Sequence, residues 1–95
     1  MKVHWTNSAV EQLIAVYEYI ARDSRQYALR TVDRITRRSI QIGEYPGSGR
    51  VVPEYESPDV RELIEPPFRI IYRIGRDRVD ILAVIHGAQR LPPSP

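Results

Sequence analysis

The spacing of apolar residues changes character several times along this chain, and each change predicts an element. KVHW (2–5) alternates, with Val3 and Trp5 on one face, and predicts a short strand. Thr6-Asn7-Ser8 then supplies several helix N-cap candidates, and Ser8 with Glu11 fits a capping box. From there Ala9, Leu13, Val16, Tyr17 and Ile20 form the stripe of an amphipathic helix, which should stop near Arg22 because Asp23-Ser24 suit caps better than helix interiors. A second stripe, Ala28, Val32, Ile35 and Ile42 with Leu29 beside it, predicts a second helix. Gly43 is its expected stop, with Pro46 soon after. A link this short predicts an antiparallel helical hairpin.

Residues 44–59, EYPGSGRVVPEYESPD, contain three prolines and two glycines and read as a long loop, a kind of segment that often carries function. Three strands follow: VRELIE (60–65), FRIIYRI (68–74) and RVDILAVIH (78–86), separated by Pro66-Pro67 and by Gly75-Arg76-Asp77 at hairpin spacing. The last strand is almost continuously apolar, so it should lie centrally with both faces covered. The order β-α-α-β-β-β predicts an α+β fold, with the helical hairpin on one face of a small, mostly antiparallel four-stranded sheet. Residues 1–95 make one domain, and the Pro-rich tail at 91–95 should fray.

Within FRIIYRI, Phe68, Ile70, Tyr72 and Ile74 share one face, while Arg69, Ile71 and Arg73 share the other. The first set belongs to a core, together with Trp5, Leu13, Ile20 and Ile35. The second lies on a face for which no helix is left, so that face is expected to be open.

Charge sharpens this picture. Residues 1–43 and 66–95 each carry +3 and residues 44–65 carry −4, and thirteen of the fourteen cations are arginine. Arginine's planar fork suits phosphate and carboxylate alike, which points to nucleic acid or an acidic protein as partner. The chain has no cysteine, excluding disulfides and thiol chemistry, and His4 and His86 show no metal-ligand spacing, so neither metal nor cofactor is expected. No apolar run approaches the ~20 residues of a membrane span, and MKVHWT lacks a signal-peptide apolar region. A cytoplasmic protein without membrane contact is expected.

SGRVVPEY, VRELI, FRIIYRI and VDILAVIHGAQR, in that order, together with the front-half pattern WT–SA–EQL–I–YIA–D, resemble the RelE/ParE superfamily of bacterial toxins. The resemblance spans nearly the whole chain. It implies the toxin of a type II toxin–antitoxin (plasmid stabilisation) module, which inhibits growth, is neutralised by a cognate antitoxin and forms a hetero-oligomer with it. In this superfamily RelE-like members cleave mRNA on the ribosome and ParE-like members poison DNA gyrase. Strand cleavage through the ribose 2′-OH needs a base, an acid and cations at the phosphate. On the RelE reading, Arg61, Arg69 and Arg90 match basic positions and His86 is the one candidate proton carrier near neutral pH. On the binding reading Arg50, Arg61, Arg69, Arg73 and Arg90 face antitoxin or target. Leu63 stands where a second basic residue is often found, the tail LPPSP has no Tyr, and the RELI and ILxVIHGxxR wording is closer to ParE-like members. These departures favour gyrase inhibition over endoribonuclease activity.

Ordinary structural roles compete at each position. Arg69 can pair with Glu62 or Glu65, Arg73 with Asp80 across the hairpin, and Arg61 with the same carboxylates or with the antitoxin. His86 can be a satisfied strand-end histidine, and Arg50 can anchor the long loop. Arg30, Arg34, Arg37 and Arg38 form the outer face of the second helix, where a solvated surface is the usual outcome.

Overall fold

The computed structural model describes residues 1–94. β1 (Lys2–Trp5) leads into α1 (Asn7–Ala21) and α2 (Arg25–Glu44). A single 3₁₀ turn, Pro46–Ser48, precedes β2 (Arg50–Val51), and β3 (Val60–Glu65), β4 (Phe68–Ile74) and β5 (Arg78–His86) follow. The sheet order is β1-β5-β4-β3-β2, with β1 parallel to β5 and the other pairs antiparallel. The α+β class and the helical hairpin are as predicted, and the four-stranded sheet gains a fifth strand. That strand is β2, whose two residues pair with Glu62 and Arg61 of β3; a strand so short carries no readable period.

Of the N-cap candidates at residues 6–8 the structure uses the first, and α2 ends one residue past its expected stop. Thr6, not Ser8, caps α1: its hydroxyl accepts the Ala9 N–H at 3.2 Å and donates to the Ile81 carbonyl at 2.8 Å. The cap therefore also ties α1 to β5, a second role that local spacing does not reveal. Gly43 lies inside the last turn of α2 instead of ending it. A Cβ there would stand 2.7 Å from Val3 Cγ2 and 3.0 Å from the Met1 carbonyl oxygen, so the glycine permits close approach of α2 to β1.

The core under the helices holds Ala9, Ile35, Ile42, Ile70, Tyr72, Val79, Ile81 and Val84, with Val3, Trp5, Leu13 and Phe68 packed against it. Ile35 and Tyr72 are fully buried, while Ile20 is half-buried at the mouth of a cleft. A β-bulge lets β5 serve both faces. Ile71 pairs with Ala83 but Tyr72 pairs with Ile81, leaving Leu82 unpaired. Ile81 and Val84 thereby both reach the helices, while Leu82 and Ala83 both pack on the other side.

That other side is not the open face the sequence suggests. Val52 and Tyr55 from the long loop lie buried there against Val60, Ile71 and Ile85, and Leu91 packs onto them. The Tyr55 hydroxyl donates to the Pro92 carbonyl at 2.7 Å, so loop and tail form one flap over the sheet. Each large apolar side chain fully buried in such a cluster stabilises by ~1.5–3 kcal/mol. Ile71, set between two arginines, is the residue whose burial requires this cover. The start of the tail expected to fray is held in this way, and Pro95 lies outside the described residues.

Candidate functional site

Alternation along β3 and the pairing of Glu62 with Ile71 send Val60 and Glu62 to the flap side, where Arg69 also lies. Arg69 engages two carboxylates with two forks. Its Nε and Nη2 donate to Glu62 at 2.8 and 2.9 Å, and its Nη1 and Nη2 donate to Glu54 at 2.9 and 3.0 Å. The Glu62 side chain is 0% exposed and that of Arg69 11%, whereas Glu54, on the flap, is 45% exposed. Arg50 Nε stands 3.5 Å from Glu62 with a side chain mostly in solvent. Two arginines thus face two glutamates, one buried and one at the surface.

The paired carboxylates of Glu54 and Glu62 push the Arg69 pKa above its ordinary value, and Arg69 in turn holds the Glu54 carboxyl below its usual range. Because folding favours ionised Glu54, its contribution is complete above the ordinary carboxylate pKa. It drains away as pH falls through the lowered folded value. Amide protection at Tyr55, whose N–H donates to Val52 at 3.1 Å, is expected to fall on acidification in the wild type. In Glu54→Gln it should fall less over the same range. Identical acid profiles for the two proteins, measured as hydrogen-exchange protection factors, would show that Glu54 does not fasten the flap.

Arg61 faces the opposite way. It pairs with Tyr72 in the sheet, and its guanidinium donates to the carbonyls of Pro58 and Gly49 at 2.8 and 3.0 Å. The Tyr72 hydroxyl completes this second network, donating to the Pro46 carbonyl at 2.6 Å and accepting the Gly49 N–H at 2.9 Å. Burial raises the Tyr72 pKa. A Cβ on Gly49 would strike the Tyr72 hydroxyl and lie 2.6 Å from the Glu62 carbonyl oxygen, so the loop needs glycine there for space.

His86 pairs with Phe68, packs edge-on against its ring at 6.1 Å and accepts the Ala88 N–H at Nδ1. It lines a cleft of about 630 Å³ whose walls include Gln12, Tyr19, Tyr27 and Val84. A different, shallower depression of about 510 Å³ adjoins Arg50, Glu54 and Arg69 and is rimmed by Ile64, Pro66, Pro67 and Phe68. Arg61, Arg69 and His86 therefore do not converge. Arg90 is exposed and, among the described residues, makes no ion pair.

Arg73 stands opposite Asp80 in register without an ion pair among the described residues, contrary to the cross-hairpin pair expected. Asp80 instead takes Arg78 at 3.0 Å and His4 at 3.1 Å. On α2, Arg34 and Arg38 reach Glu65 at 3.7 and 3.0 Å and so join the helix to the end of β3, while Arg37 pairs with Asp33 along the helix. Among the described residues no cluster of three or more His, Cys, Asp or Glu is placed to hold a metal, and no helix is long and apolar enough to cross a membrane. Sequence reasoning missed Glu54 altogether, and Glu62 entered only as one possible partner. The usable signal was a glutamate between Val60 and Ile64 on a face that otherwise alternates apolar.

Comparison with known proteins gives consistent results. The family model for the ParE toxin of the type II toxin–antitoxin system parDE matches residues 3–91. The Y4kP protein of Sinorhizobium fredii, whose name assigns it a toxin role, is 38% identical over 93 residues, covering 96% of this chain and 93% of its own. Toxin RelE2 of Caulobacter vibrioides is 32% identical over 89 residues, covering 93% and 97%. A solved chain of the chromosomal ParDE toxin–antitoxin system from P. aeruginosa superposes with a TM-score of 0.75 at 28% identity, covering 90% of this chain and 95% of that one.

Proposed function

This chain belongs to the ParE toxin family of type II toxin–antitoxin systems, and from that membership we propose that it arrests bacterial growth by inhibiting DNA gyrase. A cognate antitoxin in the cytoplasm holds it inactive. The observation that carries the choice of target is the scattering of the would-be nuclease residues. Arg69 is bound by two carboxylates on the flap side, whereas Arg61 is spent on loop carbonyls and His86 lines a separate cleft. A general acid and base must both lie within hydrogen-bond reach of the reacting atoms, and Arg61, Arg69 and His86 do not meet around one such point. Protein contact needs no such convergence, and Arg50, Arg73 and Arg90 are exposed for it.

The second reading, a ribosome-dependent mRNA endoribonuclease using Arg61, Arg69, His86 and Arg90, is favoured by the relative named RelE2. Inducing the chain alone in bacteria separates the two. Growth arrest with chromosome breaks and intact transcripts is the expected result. Arrest with transcripts cut on the ribosome would replace this reading by the second, and undisturbed growth would remove the toxin reading itself.

A further inference from the structure

We propose that Glu54 is a resident stand-in for a partner's carboxylate, and that Arg50 and Arg69 form a carboxylate-recognition subsite from which Glu54 is displaced when the partner binds. The partner segment is acidic and apolar: a Glu or Asp side chain for the arginine pair and a neighbouring aliphatic side chain for the depression beside it.

The two carboxylates on Arg69 are not equivalent. Glu62 is 0% exposed and takes the side-on fork through Nε and Nη2, so it is a fixed counter-ion. Glu54 is 45% exposed and takes the end-on fork through Nη1 and Nη2, from the surface of a flap. With Glu54 seated, two arginines and two glutamates make the cluster neutral. With Glu54 withdrawn the subsite carries one net positive charge beside a desolvated arginine, a setting in which an incoming carboxylate is favoured. Arg50 is only weakly engaged, at 3.5 Å from Glu62, and can turn to the same ligand.

The surroundings define the rest of the ligand. The depression of about 510 Å³ at this cluster is rimmed by Ile64, Pro66, Pro67 and Phe68, and Ile64 is 42% exposed. The occupant's chemistry is already displayed by the chain, because Glu54 is a carboxylate in bidentate contact with Arg69. This inference deepens the antitoxin reading, since it specifies which side chains an antitoxin segment would bring to this face.

The test uses purified full-length protein and a fluorescein-labelled peptide of interspersed Glu and Leu residues, with a Gln/Leu peptide as control. Glu54→Gln, which keeps size and removes charge, is expected to bind the Glu/Leu peptide roughly two- to five-fold more tightly than wild type, the span of an exposed ion pair. The Gln/Leu peptide should show no such gain. Arg50→Gln in the Glu54→Gln background should erase it, whereas Glu56→Gln on the same flap should match wild type. In the wild type, the peptide should move the Glu54 side-chain carboxyl carbon resonance, because Glu54 leaves Arg69. Equal affinities for wild type and Glu54→Gln, a gain that survives Arg50→Gln, or an unmoved Glu54 carboxyl resonance would each overturn the proposal. None of these outcomes depends on toxicity, so failure here is distinguishable from failure of the gyrase or antitoxin reading.

Discussion

Arg69→Ala is expected to destabilise the protein by about 3–5 kcal/mol, the cost of leaving a buried charge without its partner. Glu62 is fully buried, and its other cationic neighbour, Arg50, stands 3.5 Å away with a largely solvated side chain. Alanine also frees Glu54 and with it the flap over Val60, Ile71 and Ile85. Small domains are stable by only about 5–15 kcal/mol, so the variant should be close to unfolding. Urea denaturation measures the loss, and the pair Glu62→Leu with Arg69→Met should recover much of it by removing both charges. A loss below about 1 kcal/mol in Arg69→Ala, no more than an exposed ion pair contributes, would contradict the assignment of a buried, structural pair. Loss of toxicity in Arg69→Ala would not by itself identify a catalytic arginine, because the same change removes the counter-ion of Glu62.

Tyr72→Ala is expected to cost about 3–5 kcal/mol, the range for deleting a buried aromatic side chain. Tyr72→Phe separates ring from hydroxyl. It keeps the packing against Ile35, Ile70 and Ile81 but leaves the Gly49 N–H and the Pro46 carbonyl without their partner. An unsatisfied buried polar group costs about 1–3 kcal/mol, so phenylalanine should lie between wild type and alanine. Hydrogen exchange should locate the damage, with the Gly49 amide losing protection while amides in β4 and β5 keep theirs. Equal losses for the two variants, or an unchanged Gly49 amide in Tyr72→Phe, would show that the hydroxyl does not hold the 46–50 segment.

The sequence was most legible where a single period governs a segment. The strands at 2–5 and 68–74 follow from alternation, those at 60–65 and 78–86 from β-rich runs set off by Pro66-Pro67 and Gly75-Arg76-Asp77, and both helices from their stripes. What escaped depends on partners far away in the chain. The bond from the capping Thr6 to Ile81 is one such link, and the close approach of Val3 and Met1 to Gly43, which a Cβ would block, is another. Alternation within β3 and within β4 says nothing of which faces align. Only the register, Arg61 to Tyr72 and Glu62 to Ile71, separates Arg61 from Arg69.

The flap was hidden for a similar reason. Val52 and Tyr55 sit in a Pro- and Gly-rich stretch without a period, and their burial depends on Ile71 and Ile85 from two other strands. An apolar residue between two arginines in FRIIYRI was the one local hint that the face needed cover. For the candidate site, the sequence identified Arg69 and offered Glu62 as a partner, but placing Glu54 required the folded loop.

Inhibition of DNA gyrase by this ParE-family toxin, proposed above, can be read in a reaction of purified components. Purified chain is added to purified DNA gyrase, ATP and relaxed plasmid, and the products are resolved after protease treatment. Gyrase inhibition predicts loss of supercoiling and accumulation of gyrase-dependent linear DNA, with ribosome-bound mRNA left whole in a parallel reaction. Unimpaired supercoiling together with cleavage of that mRNA would contradict it.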